Sequence, residues 1–384
     1  MGDYITVNKI KNKENNHFIP YSISNKWGFI PQEKQFGEGN TYSKTNKATN
    51  YIVEPNTFAY NPARINVGSI AYQNNQFPVI VSSLYEIFKA KKNLNDEFLM
   101  NWFKTEKFTR QIQKLQEGGV RQYFFIDKMQ ESRITIPFIS EQEEISKTLY
   151  PISNLIKLQQ RKTEQLKLLK KAMLQKGFTN KSAPTLRFKG FSKAWTEYPL
   201  GNLGKACSGY GFPNSEQGGN KGIPFYKVSD MNLAGNEDEM IYANNYVTDA
   251  QIDRNNWKPI VDVPAIFFAK VGAAVLLNRK RLCKRPFLLD NNTMAYSLNK
   301  NILSTQFTKS LFETINLPSF IQVGALPSYN TNDIESIKVK IPKIDEQEKI
   351  GILLKKIERL ITRQQSKIKK LHSTKQFLLQ NMFI

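Results

Sequence analysis

Residues 136–178 align without gaps on residues 341–383 at a constant offset of 205, and 19 of the 43 paired positions are identical. Identity over so long a stretch means that the chain holds two copies of one structural unit, which confines it to repeat architectures. The copies open on Ile136-Pro137-Phe138-Ile139-Ser140-Glu141-Gln142-Glu143 and Ile341-Pro342-Lys343-Ile344-Asp345-Glu346-Gln347-Glu348. Ser140 and Asp345 read as N-caps, and the glutamates behind them suit the positive end of a helix.

Apolar residues then recur at alternating spacings of four and three. The first copy places Ile145, Leu149, Ile152, Ile156 and Leu166 on this seam; the second places Ile350, Leu354, Ile357, Ile361, Ile368 and Leu371 there. That is a heptad pattern, predicting a helix that packs against another helix. Gln159 and Gln364, and Lys170 and Lys375, stand at matched seam positions. Either they fix the register of a helix pair or they mark where the seam meets solvent. Pro151 replaces Lys356 and predicts a kink or a break near Tyr150.

The stretches before the helices show short β-rich runs divided by Gly, Asn and Pro, and they diverge strongly from each other. Residues 179–184, TNKSAP, are polar and aperiodic and read as a linker. The formal charge of +22, from 55 Lys and Arg against 33 Asp and Glu, points to a polyanionic partner. Much of it lies along the two helices, where a solvated face competes with passage near a phosphate backbone.

Two cysteines, Cys207 and Cys283, are too few for a disulfide framework and suit a reducing compartment. With only His17 and His372, a histidine-rich metal site is excluded. The segment Gly218-Gly219-Asn220-Lys221-Gly222 lacks phosphate-loop spacing and reads as a turn. Asn61-Pro62-Ala63-Arg64 lacks the second proline and the aromatic of an amino-methyltransferase motif. No stretch is apolar for long enough to cross a membrane. The chain reads as a binder without catalytic machinery.

Candidate DNA contacts follow from residue type. Arg64, Asn66 and Ser69 follow the Asn61-Pro62 turn and suit base reading, with a merely structural polar loop as the alternative. Lys270, Arg279, Lys280, Arg281, Lys284 and Arg285 concentrate charge in a β-rich stretch and suit phosphate contact. Arg121 follows Gly118-Gly119 and Ser328 follows Gly324, in matching places ahead of the helices.

The two Ile-Pro-x-x-x-Glu-Gln helix starts, the segment Leu186-Arg187-Phe188-Lys189-Gly190-Phe191 with Trp195 and Leu200-Gly201, and the runs YNPARINVGSI and FAKVGAAVLLNRKR together resemble the specificity subunit of type I restriction-modification systems. The resemblance covers nearly the whole chain. It implies an α+β fold with an internal pseudo-twofold repeat: two β-rich target-recognition domains, each followed by a long helix, the helices pairing as an antiparallel coiled coil. The corresponding divisions are 1–136, 137–178, 179–187 (linker), 188–340 and 341–384.

The resemblance further implies a non-catalytic, cytoplasmic bacterial or archaeal chain that reads a bipartite asymmetric target on double-stranded DNA. Its partners would be two modification subunits that methylate adenine and restriction subunits that translocate and cut. S-adenosylmethionine, ATP and Mg would then be bound by those partners, and no cofactor by this chain. The competing reading is a basic coiled-coil scaffold that binds nucleic acid without sequence choice; a self-contained nuclease is disfavoured by the missing catalytic motifs. The first half departs from the pattern: it has no counterpart of LRFKGF and starts at a place matched to about Ala206 of the second half.

Overall fold

The computed structural model describes residues 1–37, 47–119, 122–179, 183–321 and 328–383. Packing divides the chain into two compact units, and the division cuts both long helices: unit 1 is Met1–Gln160 with Ser366–Ile384, and unit 2 is Arg161–Gln365. Each unit thus owns one head, the beginning of the helix that follows it, and the end of the other repeat's helix.

Unit 1 contains strands β1 (Ile5–Val7), β2 (Ile10–Lys11), β3 (Tyr21–Ser24), β4 (Gly28–Pro31), β5 (Tyr51–Val53), β6 (Thr57–Tyr60), β7 (Ile70–Gln73), β8 (Val79–Val81) and β9 (Glu86–Ala90). Its helices are α1 (Gln32–Phe36), α2 (Asp96–Trp102), α3 (Glu106–Leu115), α4 (Ile126–Glu131) and the first half of α5 (Ile139–Gly177). Unit 2 contains β10 (Thr196–Pro199), β11 (Gly204–Ser208), β12 (Ile223–Tyr226), β13 (Tyr246–Val247), β14 (Ala265–Ala269), β15 (Lys280–Cys283), β16 (Leu288–Leu289), β17 (Thr293–Leu298) and β18 (Lys338–Ile341). To these it adds α6 (Asp249–Arg254), α7 (Thr305–Thr314), α8 (Thr331–Glu335) and the first half of α9 (Ile344–Met382).

The heads share a plan that their sequences conceal. The main antiparallel sheet runs β1-β9-β6-β7 in unit 1 and β11-β17-β14-β15 in unit 2, the same order of first, last and two hairpin strands. In each, the sheet packs its aromatic side chains under the helix that follows it. In unit 1 Phe58 and Phe88, themselves stacked at 5.1 Å, both meet Phe103 at the end of α2 edge-on, while in unit 2 Tyr296 and Phe268 pack on Phe312 of α7. Each fully buried ring of this kind contributes about 2–3 kcal/mol relative to exposure.

The shared helix starts are explained by one side chain. Gln142 is fully buried; its Oε1 accepts from the backbone N–H of Asn95 (2.8 Å), and its Nε2 donates to the carbonyls of Asn93 (3.1 Å) and Pro137 (2.9 Å). Gln347 repeats this with Ser304 N–H (2.9 Å) and the carbonyls of Ile302 (3.0 Å) and Pro342 (2.9 Å). Asn95 and Ser304 are the N-caps of α2 and α7, so the glutamine ties each long helix to the helix that follows the main sheet of its own head.

The expectations for these helices need three corrections. The helices begin at Ile139 and Ile344, so Ser140 and Asp345 lie inside the first turn and not at the N-cap. Pro151 does not break α5, which runs on to Gly177; the residue is exposed, so the Lys147 carbonyl that loses its backbone donor lies on the water side. The first half also starts earlier in the pattern than Ala206. The Met1 ammonium donates to Ser132 O (2.7 Å), as the Leu200 N–H donates to Ile337 O (2.9 Å), and both lead into a 3-10 turn and the first sheet strand. Met1-Gly2 therefore stands where Leu200-Gly201 stands.

Along the seam, Ile145, Leu149 and Ile156 are buried and Ile152 and Leu166 half-buried; Leu354 and Ile357 are buried, and Ile350, Ile361, Ile368 and Leu371 half-buried. In unit 2 the helix segments run antiparallel: Lys170 meets Glu358, while Lys167 and Ile361 line one cavity beside the pair and Met173 and Leu354 line another. Both seam lysines are engaged. Lys170 reaches Glu358 and Glu313, each at 2.6 Å, whereas Lys375 donates to Ser153 Oγ at 2.6 Å in unit 1.

Candidate nucleic-acid interface

In each head a 3-10 turn joins the two hairpin strands of the main sheet. Ile65–Val67 bridges β6 and β7, and Ala273–Leu277 bridges β14 and β15. The turns close on residues in the left-handed region, Gly68 (φ 85°) and Asn278 (φ 49°), the conformation that reverses the chain into the return strand. The two sequence runs read as recognition segments, YNPARINVGSI and FAKVGAAVLLNRKR, thus occupy the same place in two copies of one sheet.

In unit 1, Arg64 and Asn66 are exposed on this turn. Ser69 is not: it is buried, and its Oγ donates to the Ile23 carbonyl at 2.8 Å. That bond ties β7 to the neighbouring β3–β4 hairpin, so Ser69 holds the site together and cannot face a ligand. The hairpin adds residues that the sequence reading missed. Asn25 lies against Gly68, a Cβ on which would sit 3.7 Å from the Asn25 Cβ. At the same hairpin tip Trp27 is more than half exposed, with the Lys26 ammonium 4.7 Å above its ring. The signal was present: YSIS and GFIP separated by NKW is a hairpin pattern with an aromatic at its tip. Arg121 lies outside the described residues.

In unit 2 the expected basic cluster is largely committed to the head itself. Lys280 donates to Asn278 Oδ1 (2.6 Å) and to the Ile315 carbonyl (2.7 Å), and burial lowers its pKa to about 8. Arg281 donates to the carbonyls of Asn236 (2.6 Å) and Lys280 (2.9 Å), and burial likewise lowers its pKa. Neither is a free phosphate ligand, because both sit in β15 with the loop Asn232–Tyr242 and the end of α7 closing over them. Lys284 pairs with Glu239, and Arg279 donates to Asn232 Oδ1 (2.7 Å) from a partly exposed position.

Lys270 and Ser328 do come together with the turn. Lys270 donates to Ser208 Oγ (2.7 Å), and Ser328 bridges to Val271. The turn also exposes Leu276 and Leu277, each at about 60% of its surface. Exposed apolar groups beside a lysine suit thymine methyls in a groove as well as a phosphate. On the helices, Lys162, Lys167, Lys171, Arg359, Arg363 and Lys367 are all exposed. Among the described residues no three or more His, Cys, Asp or Glu are grouped so as to hold a metal ion, and no helix is long and apolar enough to cross a membrane. His17 and His372 are exposed.

Known proteins share this arrangement. The profile of the type I restriction modification DNA specificity domain matches residues 1–168 and 192–372. Two relatives from Methanocaldococcus jannaschii are similar in sequence. The putative type I restriction enzyme MjaX specificity subunit is 26% identical over 287 residues, which are 69% of this chain and 61% of the relative. The type I restriction enzyme MjaVIII specificity subunit is 24% identical over 314 residues, 74% of this chain and 68% of the relative. The chain thus spans less than two thirds of the length of the first.

Among solved structures, the S subunit of a type I restriction-modification system from M. genitalium superposes with a TM-score of 0.62 at 14% identity, covering 100% of this chain and 94% of that one. A chain from a structure of type I R-M complex assembly and conformational transition gives 0.54 at 12%, covering 100% and 96%. At these identities the likeness establishes the fold. With the profile matched in both halves and over most of its length, the chain belongs to the type I restriction modification DNA specificity domain family.

Proposed function

We propose that the chain is the sequence-reading subunit of a type I restriction-modification complex. In this reading it recognises a bipartite, asymmetric DNA target, one part per head. Adenine methylation and restriction belong to two modification subunits and to restriction subunits, which also bind S-adenosylmethionine, ATP and Mg. The observation that carries the reading is the pair of topologically identical sheets that present different exposed side chains on the same turn, Arg64 and Asn66 in one head and Leu276 and Leu277 in the other, with Trp27 of the β3–β4 hairpin and the half-buried Lys270 close by in sequence or packing. A common scaffold with divergent tips is what two readers of different half-sites require. The charge of the chain supplies affinity and orientation, while the tips supply choice.

Methylome sequencing of cells with and without the gene tests this, the expected result being one gapped adenine motif that disappears with the gene. A basic scaffold without sequence choice predicts instead that no motif is lost and that scrambled duplexes compete equally at fixed salt. At finer grain, Arg64→Ala should cost about 1–3 kcal/mol of binding to the cognate duplex if Arg64 reads a base, and relax one half of the motif only.

A further inference from the structure

Two carboxylates that meet the seam lysine of unit 2 have matched positions in unit 1, and neither position keeps its negative charge. In unit 2 the Lys170 ammonium of α5 lies 2.6 Å from Glu313 on α7 and 2.6 Å from Glu358 on α9. The helices α5 and α9 correspond through the repeat, so Lys170 is matched to Lys375 and Glu358 to Ser153. The helices α7 and α2 correspond through their packing. The N-cap N–H of each is bonded by Gln347 or Gln142, and Phe312 and Phe103 both pack on the rings of the main sheet. Glu313 follows Phe312 directly, and the residue that follows Phe103, in the turn closing α2, is Lys104.

Unit 1 therefore has a hydroxyl at one of these positions and an ammonium group at the other. Lys157, one turn beyond Ser153 on α5, adds a further positive charge where its repeat partner is Thr362. The Lys375 ammonium donates to Ser153 Oγ at 2.6 Å, and that hydroxyl donates in turn to the Leu149 carbonyl at 2.9 Å. Burial, and then the charges of Lys104 and Lys157, act against the Lys375 charge. Lys104 and Lys157 are exposed and Lys375 is half-buried, so water and small solutes reach the cluster from one side. None of the three lysines has an ion pair among the described residues.

We propose that Lys104, Lys157 and Lys375 of unit 1 bind a phosphate dianion, which stands where the carboxylates of Glu313 and Glu358 stand in unit 2. Ammonium groups are donors only, so whatever completes the cluster must accept hydrogen bonds. A phosphate group brings about −1.5 to −2 of charge near neutral pH and several strong acceptor oxygens, close to the two charges that Lys170 meets in unit 2. Chloride or a single carboxylate brings half of that. Lysine is also a regular phosphate ligand, acting as a point charge that tolerates different geometries.

The test is lysine footprinting of the full chain in the absence of DNA. Brief acylation with an amine-reactive ester is carried out in inorganic phosphate or in sodium chloride of equal ionic strength and read residue by residue by mass spectrometry. Phosphate at ten times its half-saturating concentration should slow acylation of Lys104, Lys157 and Lys375 by roughly tenfold. The exposed Lys162 and Lys171 of unit 2 should not respond. Lys104→Glu and Ser153→Glu each return one carboxylate that unit 2 has, and each should abolish the protection of the remaining lysines. Lys104 is exposed, so its substitution leaves the fold intact. Equal protection in phosphate and chloride, or protection that survives either substitution, overturns the proposal. So does protection by a DNA duplex but not by phosphate, which would make the cluster a contact for the DNA backbone.

Discussion

The same seam lysine lives in opposite surroundings in the two units. In unit 2, Lys170 sits between Glu358 and Glu313, and the nearly buried Lys309 completes the cluster with Glu358 (2.8 Å) and Asp238. Burial disfavours the charge on Lys170 and Lys309, but their carboxylate partners outweigh it and raise both pKa values. In unit 1 the repeat partner of Glu358 is Ser153. Among the described residues Lys375 donates to that hydroxyl and meets no carboxylate, and burial, with the ammonium groups of Lys104 and Lys157 adding to it, lowers its pKa to about 7. A matched seam residue therefore does not carry a matched energy: unit 2 offsets the desolvation of its lysine with charge, and unit 1 leaves it standing.

The contrast can be broken in several ways. The largest effect is expected from Ile357→Asp, which buries a carboxylate in the seam of unit 2 and should cost about 4 kcal/mol. Ile152→Asp, its half-buried repeat partner, should cost about 1–2 kcal/mol, since water reaches the new charge. Equal losses in denaturant unfolding would remove the difference between the seams. Next, Glu358→Gln should destabilise unit 2 by about 2–3 kcal/mol, because Lys170 and Lys309 each lose a carboxylate in a partly buried site.

The Lys375 penalty is relieved as pH rises. Its folded pKa of about 7 lies below the ordinary 10.5, so between those values the folded chain has released a proton that the unfolded chain keeps. Stability should therefore rise from pH 7 toward 10.5, and the whole penalty stands below pH 7. Lys375→Met should flatten this dependence and add about 2 kcal/mol at pH 6 after solvent screening, as read by unfolding at pH 6 and pH 9. Smallest, Ser153→Glu should give Lys375 the partner that Lys170 has and add about 1 kcal/mol. A loss of stability would show that Lys375 is not limited by its missing counter-charge.

The helices were legible because their identity survives: matched Glu-Gln starts and apolar spacings point directly to two long helices. The common plan of the heads was not, because a sheet asks only for alternating apolar residues and turns, which unrelated sequences supply equally well. Met1-Gly2 and Leu200-Gly201 share one glycine, too little to register the two starts by sequence. Site residues failed for a related reason. Whether Ser69, Lys280 or Arg281 points outward depends on strand register and on the segments folded over it, and a serine or lysine looks alike in either case. Trp27 sits in a hairpin pattern that marks a turn, but a tryptophan at a tip looks alike in sequence whether its ring is tucked inward or left in water.

The hydrogen bonds that the glutamine at each helix start makes to its head go to main-chain atoms: one amide hydrogen and one carbonyl at the beginning of a short helix. A joint that reads backbone is blind to the identity of the residues it grips. Heads of unrelated sequence can therefore be exchanged on the same arms without redesigning the fastening, provided that a helix begins at that point. The fold is in this sense an interchangeable fitting, and recombination between genes with matching arms would yield assembled proteins with new tips at once.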